Sequence, residues 1–371
     1  MKPIFSAITI LSLLAMMFSC SEEKNYEDAI PAECMAIVRI PSSVDNSRAK
    51  SMLSIFVGDE RLADNGIDSS LPIYIFETPD GTISLCAKVS SSGEITDFLS
   101  SLQKEGKASE VKERRDVSYT LVNHNFLVAY NDDALLCTGP VLPASLQQQL
   151  SRFSRYLEMN ADRGAGSGDM FSRLSDDGDV PSIIAKVSAL PKQFVAPFLI
   201  GTPTGTSSSD ILLHATAQCR DSVLILKGTT SSDNVLASQG IDRAMKMFRP
   251  ISADDSTNDN TIVVLYANVK GDDFISLLEA NKDLSQTLSG NSLREKLSAV
   301  DGNMLLSISP RSASLVSGDS SYDVDVKPLE EVENAGMRLK VVINVKRAGA
   351  EILSTIAPFL SGISSIEYIV E

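Results

Sequence analysis

Two rhythms of apolar residues run through this chain. Alternating runs predict half-buried strands, and runs with apolar residues three and four apart predict amphipathic helices. The first strand is Cys34-Met-Ala-Ile-Val-Arg-Ile40, and Pro41-Ser-Ser leads from it into a helix through Met52, Leu53 and Phe56. A hairpin follows: Pro72 to Glu77, a turn at Pro79-Asp80-Gly81, then Thr82 to Val89. Asp-Gly between alternating runs is a strong hairpin signal, since glycine supplies the positive φ such turns require. Serines 90–92 then cap a helix carrying Ile95, Phe98, Leu99 and Leu102. After the charged stretch Lys104–Arg115, three short strands are predicted at Ser118–Val122, Phe126–Tyr130 and Ala134–Cys137, and a helix from Pro143 to about Met159.

The second half repeats this order. Ile183–Val187 reads as a strand and Phe194–Leu199 as a helix. Ile211–Gln218 and Ser222–Lys227 form a hairpin, followed by a helix through Ile241, Met245 and Phe248. Then come a strand at Thr261–Val269, a helix at Asp272–Glu279, strands at Met304–Ile308 and Arg338–Val345, and a last helix ending near Phe359. Five strands share one grammar, a polar residue just before the last apolar one: Ala36–Ile40, Ser84–Val89, Ile184–Val187, Leu265–Val269 and Val342–Val345. The expected class is therefore α+β, with antiparallel sheets, helices packed on one face, and two similar halves from a duplication. The alternative is that αβ corners look alike in any such fold. Arg163-Gly-Ala-Gly-Ser-Gly168 and Asp176-Asp-Gly-Asp179 mark the weakest patterning. The expected division is a domain at 31–159, a linker at 160–179 and a second domain at 180–371.

The first residues follow neither rhythm. Lys2 precedes an apolar segment, Ile4 to Phe18, which is shorter than the roughly 20 residues of a membrane span and of signal-peptide length. It closes on Ser19-Cys20 and turns acidic at Ser21-Glu22-Glu23. The segment resembles a bacterial lipoprotein signal peptide, with residues 1–19 removed, Cys20 carrying the lipid and residues 20–30 forming a tether; Phe18 departs from the usual small residue. The acidic cluster resembles the signal that sends lipoproteins of the Bacteroides group to the cell surface, although a solvated tether would also be polar. Together with Ile30-Pro-Ala-Glu33 leading into the first strand, these residues resemble a family of uncharacterised Bacteroidota lipoproteins, a domain of unknown function. The resemblance implies an anchored outer-membrane protein, surface-exposed or facing the periplasm, and supplies no catalytic residues.

Composition narrows the partners. The net charge of −15 becomes −16 once Lys2 is removed, which disfavours nucleic acid. Tryptophan is absent and aromatics make up 6%, mild grounds against a sugar-stacking platform. Cys34, Cys86, Cys137 and Cys219 permit two disulfides, but the first three sit in or beside apolar runs, and buried free thiols are favoured. No Cys-x-x-Cys pair suggests zinc or redox chemistry.

Catalytic signatures are sparse. The two histidines are His124, in a turn, and His214, mid-strand toward the polar face. No Gly-x-Ser-x-Gly elbow or phosphate loop occurs, and Gly201-Thr-Pro-Thr-Gly205 lacks a lysine. Ser47-Arg-Ala-Lys50 and Ser101-Leu-Gln-Lys104 match Ser-x-x-Lys without the companion motifs that penicillin-recognising enzymes need. Asp176–Asp179 and Asp254–Asn260 offer oxygen ligands suited to calcium, yet neither has EF-hand spacing and both are ordinary turn formers. No metal or cofactor is assigned. The expected role is a non-enzymatic, membrane-tethered module binding a protein, peptide or glycan. The alternative is a hydrolase, a glycosidase or peptidase, using dispersed carboxylates or His214.

Overall fold

The computed structural model describes residues 25–43, 46–175, 178–220, 222–251, 253–254, 263–285, 293–309, 312–317, 330–331, 337–345 and 363–371. Cys20, Asp176-Asp177, residues 255–260 of the second acidic loop and the helix expected near Phe359 lie outside them.

The N-terminal half supplies strands β1 (Ala36–Ile40), β2 (Ile73–Glu77), β3 (Ile83–Lys88), β4 (Lys112–Arg114), β5 (Val117–Val122), β6 (Phe126–Tyr130) and β7 (Ala134–Thr138). The C-terminal half supplies β8 (Ser182–Lys186), β9 (Ile211–Arg220), β10 (Val223–Ser232), β11 (Ala253–Asp254), β12 (Val263–Lys270), β13 (Asp301–Ser309), β14 (Ser312–Ser317), β15 (Glu330–Glu331), β16 (Leu339–Asn344) and β17 (Ser365–Val370). Fifteen of them form one sheet in the order β14-β13-β12-β16-β17-β10-β9-β8-β1-β2-β3-β7-β6-β5-β4, and β11 and β15 pair separately. All pairings in the large sheet are antiparallel except β10 with β17. The α+β class follows directly.

The halves meet where β1 pairs antiparallel with β8, Ile37 opposite Ile184. Outward from that pair the order is β1-β2-β3 on one side and β8-β9-β10 on the other. Helices α1 (Ser47–Val57) and α2 (Ser92–Lys104) follow β1 and β3; α3 (Leu146–Leu157) and α4 (Asp169–Ser175) follow β7. In the other half, α5 (Lys192–Val195) and α6 (Val235–Met247) follow β8 and β10, and α7 (Gly271–Glu279), α8 (Lys282–Ser285) and α9 (Leu293–Ser298) come later. The corresponding helices α2 and α6 are both capped by a side-chain oxygen: Glu94 N donates to Ser91 Oγ, and Leu236 N and Ala237 N donate to Asn234 Oδ1.

One face of the sheet, here the helix face, is covered throughout. Leu53 and Phe56 of α1 and Ile95, Phe98 and Leu99 of α2 pack on Ile75, Leu85 and Val128. Ile241, Ala244, Phe274 and Leu297 pack on Leu213, Leu265 and Val341. Here the expected one-faced arrangement holds. The N-terminal half adds a second layer on the opposite face. There Tyr26, Ala29 and Ile30, Phe153 and Tyr156 of α3, and Phe171 and Leu174 of α4 cover Ile37, Tyr74, Phe76, Cys86 and Leu136. The reason is legible in retrospect: β2 and β7 are buried along nearly every residue, so both faces need a cover.

That second layer changes the picture of two segments. The stretch expected as a tether, 20–30, is packed from Asn25 onward: Tyr26–Ala29 is a capped 3-10 turn and Ile30 is fully buried. Arg163–Ala165, within the stretch 160–179 expected as a linker, clasp this strap. Ala165 N donates to Ile30 O (2.6 Å), Ala32 N donates to Arg163 O (3.3 Å), and Pro31 bridges Gly164. A Cβ on Gly164 would lie 2.4 Å from the Asp28 Cα, so glycine here serves close packing rather than flexibility.

Candidate functional site

At the ends of β8, β9 and β10, on the strap face, the second layer stops and leaves a cleft of about 440 Å³. That size falls within the roughly 300–1,000 Å³ of small-molecule sites. Its floor is apolar: Cys34, Ile37, Phe171 and Leu212, each under 8% exposed. Its walls come from the strap, from the start of α4, from Ser209-Asp210 ahead of β9, and from Asp233-Asn234 at the cap of α6. No single stretch of sequence encodes it.

The charges on its rim are of both signs. Lys186, half-buried, closes β8; Asp169, Asp210 and Asp233 are exposed. Arg173 Nη2 sits 2.8 Å from Asp169 and 4.0 Å from Asp233, and its Nη1 donates to Ser231 Oγ at 2.9 Å. Lys186 and Asp210 form no ion pair with any described residue. They face the same cleft nonetheless, since Lys186 lies opposite Leu212, two residues after Asp210. Beside Asn234, Val235 and Leu236 are 67% and 65% exposed, unusual for the first turn of a helix that otherwise buries its apolar positions. The first turn of α2, after its own side-chain cap, begins Ser92-Gly93.

The cysteine of the cleft is not an activated thiol. Burial pushes the Cys34 thiol up to about 12 and so keeps it protonated, although the nearby Lys186 ammonium acts the other way. Cys86 and Cys137 are also buried and free, and their strand register puts them on opposite faces of the sheet; Cys219 is free and exposed. His124 is exposed at the β5–β6 turn with φ 70°, and His214 faces away from the helix face on β9. Six strand spacings separate β6 from β9, about 29 Å, so the two imidazoles do not share a site. Ser101 Oγ donates to its own helix at Phe98 O (2.6 Å), and Lys50 pairs with Asp64 (3.0 Å), so neither Ser-x-x-Lys match forms a dyad. Two carboxyls are raised by burial, Glu27 and Glu77. Glu27 belongs to the strap, where Tyr74 Oη donates to it at 2.9 Å. Among the described residues, no three His, Cys, Asp or Glu side chains come together as metal ligands, and no helix is long and apolar enough to cross a membrane.

Comparison with known proteins adds a family. No curated protein matches the chain. Two crystal forms of TP0453, forms IV and I, are similar to 54% of this chain and cover 77% and 76% of their own, at 9% and 8% identity and TM-scores of 0.33 and 0.30. Such scores carry no argument about fold or function. The family model for a domain of unknown function, DUF4836, matches residues 42–335, which includes β2 through β15 and most of the cleft. The chain belongs to the DUF4836 family.

Proposed function

We propose that the chain is an exported Bacteroidota lipoprotein, anchored at Cys20 in the outer membrane and presented at the cell surface. We further propose that its folded part is a non-enzymatic binding module whose ligand site is the cleft. The observation that carries the binding reading is the cleft itself: an apolar floor, with Lys186 and Asp210 at its rim forming no ion pair with any described residue. The anchor rests on the sequence around Cys20. The packed strap supports it by leaving five residues from Cys20 to Asn25, a reach of at most about 18 Å, so the body would sit close to the bilayer. The matching order of strands and helices on either side of β1·β8 supports a duplication with its boundary in 160–179.

The test is photo-cross-linking in intact cells. A benzophenone residue at Ser209, in the cleft wall, should trap a ligand or partner that one at Ser298, on α9, does not. Cys20→Ala should release the protein from membranes. Turnover of a substrate, abolished by a single side-chain change in the cleft, would sink the non-enzymatic reading; persistent membrane association of Cys20→Ala would sink the anchor.

A further inference from the structure

We infer that the cleft takes a small zwitterion bearing an apolar side chain, either a free amino acid or a short peptide with free termini. The inference rests on the binding reading above and names the chemistry of its ligand. Lys186 and Asp210 carry opposite charges, line the same cleft and form no ion pair with each other or with any other described residue; the Asp210 carboxylate accepts a long hydrogen bond, 3.5 Å, from the adjacent Ser209 Oγ. A half-buried ammonium left without a partner loses hydration and regains nothing within the protein. A ligand carboxylate would supply that partner, and charge-assisted hydrogen bonds are about twice as strong as neutral ones. Asp210, with Asp233 beyond it, then faces the ligand's ammonium end. A purely anionic ligand would meet the carboxylates of Asp169, Asp210 and Asp233, and a purely cationic one would leave Lys186 unanswered. The zwitterion satisfies both.

The apolar requirement comes from elsewhere in the site. Ile37, Phe171 and Leu212 floor the cleft, and Val235 and Leu236, exposed, follow its lining residue Asn234 in the chain. Polar ligands such as sugars would leave this surface uncovered, and Val235 and Leu236, 67% and 65% exposed, contribute little to the core. Burying an aliphatic side chain against such a floor drives association without direction; the two charges supply the orientation.

The experiment is isothermal titration calorimetry on the full-length chain in lipid nanodiscs, with empty discs as blank. Three probes are used: L-leucine, the tripeptide Leu-Ala-Leu with free termini, and N-acetyl-Leu-Ala-Leu-amide. The free tripeptide should bind saturably and at least ten-fold more tightly than the blocked one. Lys186→Met and Asp210→Asn should each weaken the free tripeptide five-fold or more while leaving the blocked peptide unchanged, the readout a merely structural role would not give. Val235→Ser with Leu236→Gly, the residues found in α2, should weaken both peptides. All the substituted side chains lie outside the cores, and circular dichroism checks that each variant stays folded. Leucine binding as tightly as the tripeptide assigns the site to amino acids; much weaker leucine binding assigns it to peptides. Equal affinity for free and blocked tripeptide overturns the inference. So does failure of all three probes: if Ser209 still cross-links a partner, the binding module survives without the zwitterion, and if it does not, both readings fall.

Discussion

Gly164→Ala isolates the role of the strap. Gly164 has φ −81° and ψ 161°, a conformation open to any residue, so the backbone preference alone would make alanine slightly stabilising, by about 0.4–1 kcal/mol. The surroundings reverse the sign. A Cβ would lie 2.4, 2.5 and 2.9 Å from the Cα, O and C of Asp28, all backbone atoms with no rotamer to escape into. Either the clasp strains, at about 1–3 kcal/mol, or the strap lets go. Release would expose Tyr26 and Ile30, now 4% and 0% exposed, at about 1.5–3 kcal/mol each. It would also break the Ala165–Ile30 and Ala32–Arg163 hydrogen bonds, worth about 1 kcal/mol apiece. The cheaper route, the strain, sets the cost, and less the backbone gain the expected loss is about 1–2 kcal/mol. Urea unfolding of the full chain measures it. Gly93→Ala is the control: it sits inside α2 with its nearest foreign atom, Ser91 Oγ, at 3.9 Å, and should gain up to about 1 kcal/mol in helix propensity. If Gly164→Ala proves neutral or stabilising while Gly93→Ala behaves as expected, the strap is not clasped as described.

Further outcomes follow from other residues. Protein purified from cells should expose one fast-reacting thiol to Ellman's reagent in the native state, Cys219, because burial raises Cys34, Cys86 and Cys137; a second fast thiol would mean Cys20 carries no acyl group. Burial alone would raise Asp80, but hydrogen bonds from Thr78 and Arg152 hold it at about 2. Its stabilisation is thus present above the ordinary carboxylate range and lost as pH falls toward 2, and carboxyl NMR titration of Arg152→Met should show it rising part of the way to 3.8. Glu27, raised by burial, has the opposite sign: its contribution is full at low pH and fades as pH rises through its folded value. Glu367→Gln strips the carboxylate 3.2 Å from the nearly buried Lys340 ammonium and should cost about 3 kcal/mol in urea unfolding, whereas pairing it with Lys340→Met should recover most of that loss.

Local signals carried the fold a long way. Asp80-Gly81 set the β2–β3 hairpin, with Gly81 at φ 78°. Ser91 and the Ile95–Leu102 spacing set α2, and the alternations at 118–137 became β5, β6 and β7. What stayed hidden depends on contacts distant in sequence. β17 inserts between β10 and β16, parallel to the former, a pairing that no turn or spacing announces. β4 is Lys-Glu-Arg, all exposed, and its charges disguise an edge strand by protecting it. The run 163–168 looked like linker because glycine serves both loose and very close chain approaches, and sequence alone does not separate the two. The cleft is illegible in the sequence because its residues come from five separate segments, brought together by pairings distant in the chain.

The position of the cleft follows from how the two halves differ. The strand–helix order puts helices on the helix face in both halves. In the N-terminal half the other face is closed by additions: the strap, α3 and α4. Beyond β8 no such layer follows among the described residues, apart from the small cluster of Ile251, Tyr266, Met337, Val342 and Ile369. The cleft is the step where the second layer ends, and this accounts for apolar residues at its floor and charged ones at its rim. A ligand seated there would extend the layer by one more element. Ala32 and Cys34 of the strap form one wall of that step, and the same strap leads back to Cys20. The proposed ligand site and the proposed anchor would thus share one short segment with the strap, and whatever loosens its clasp at Gly164 should loosen the site as well.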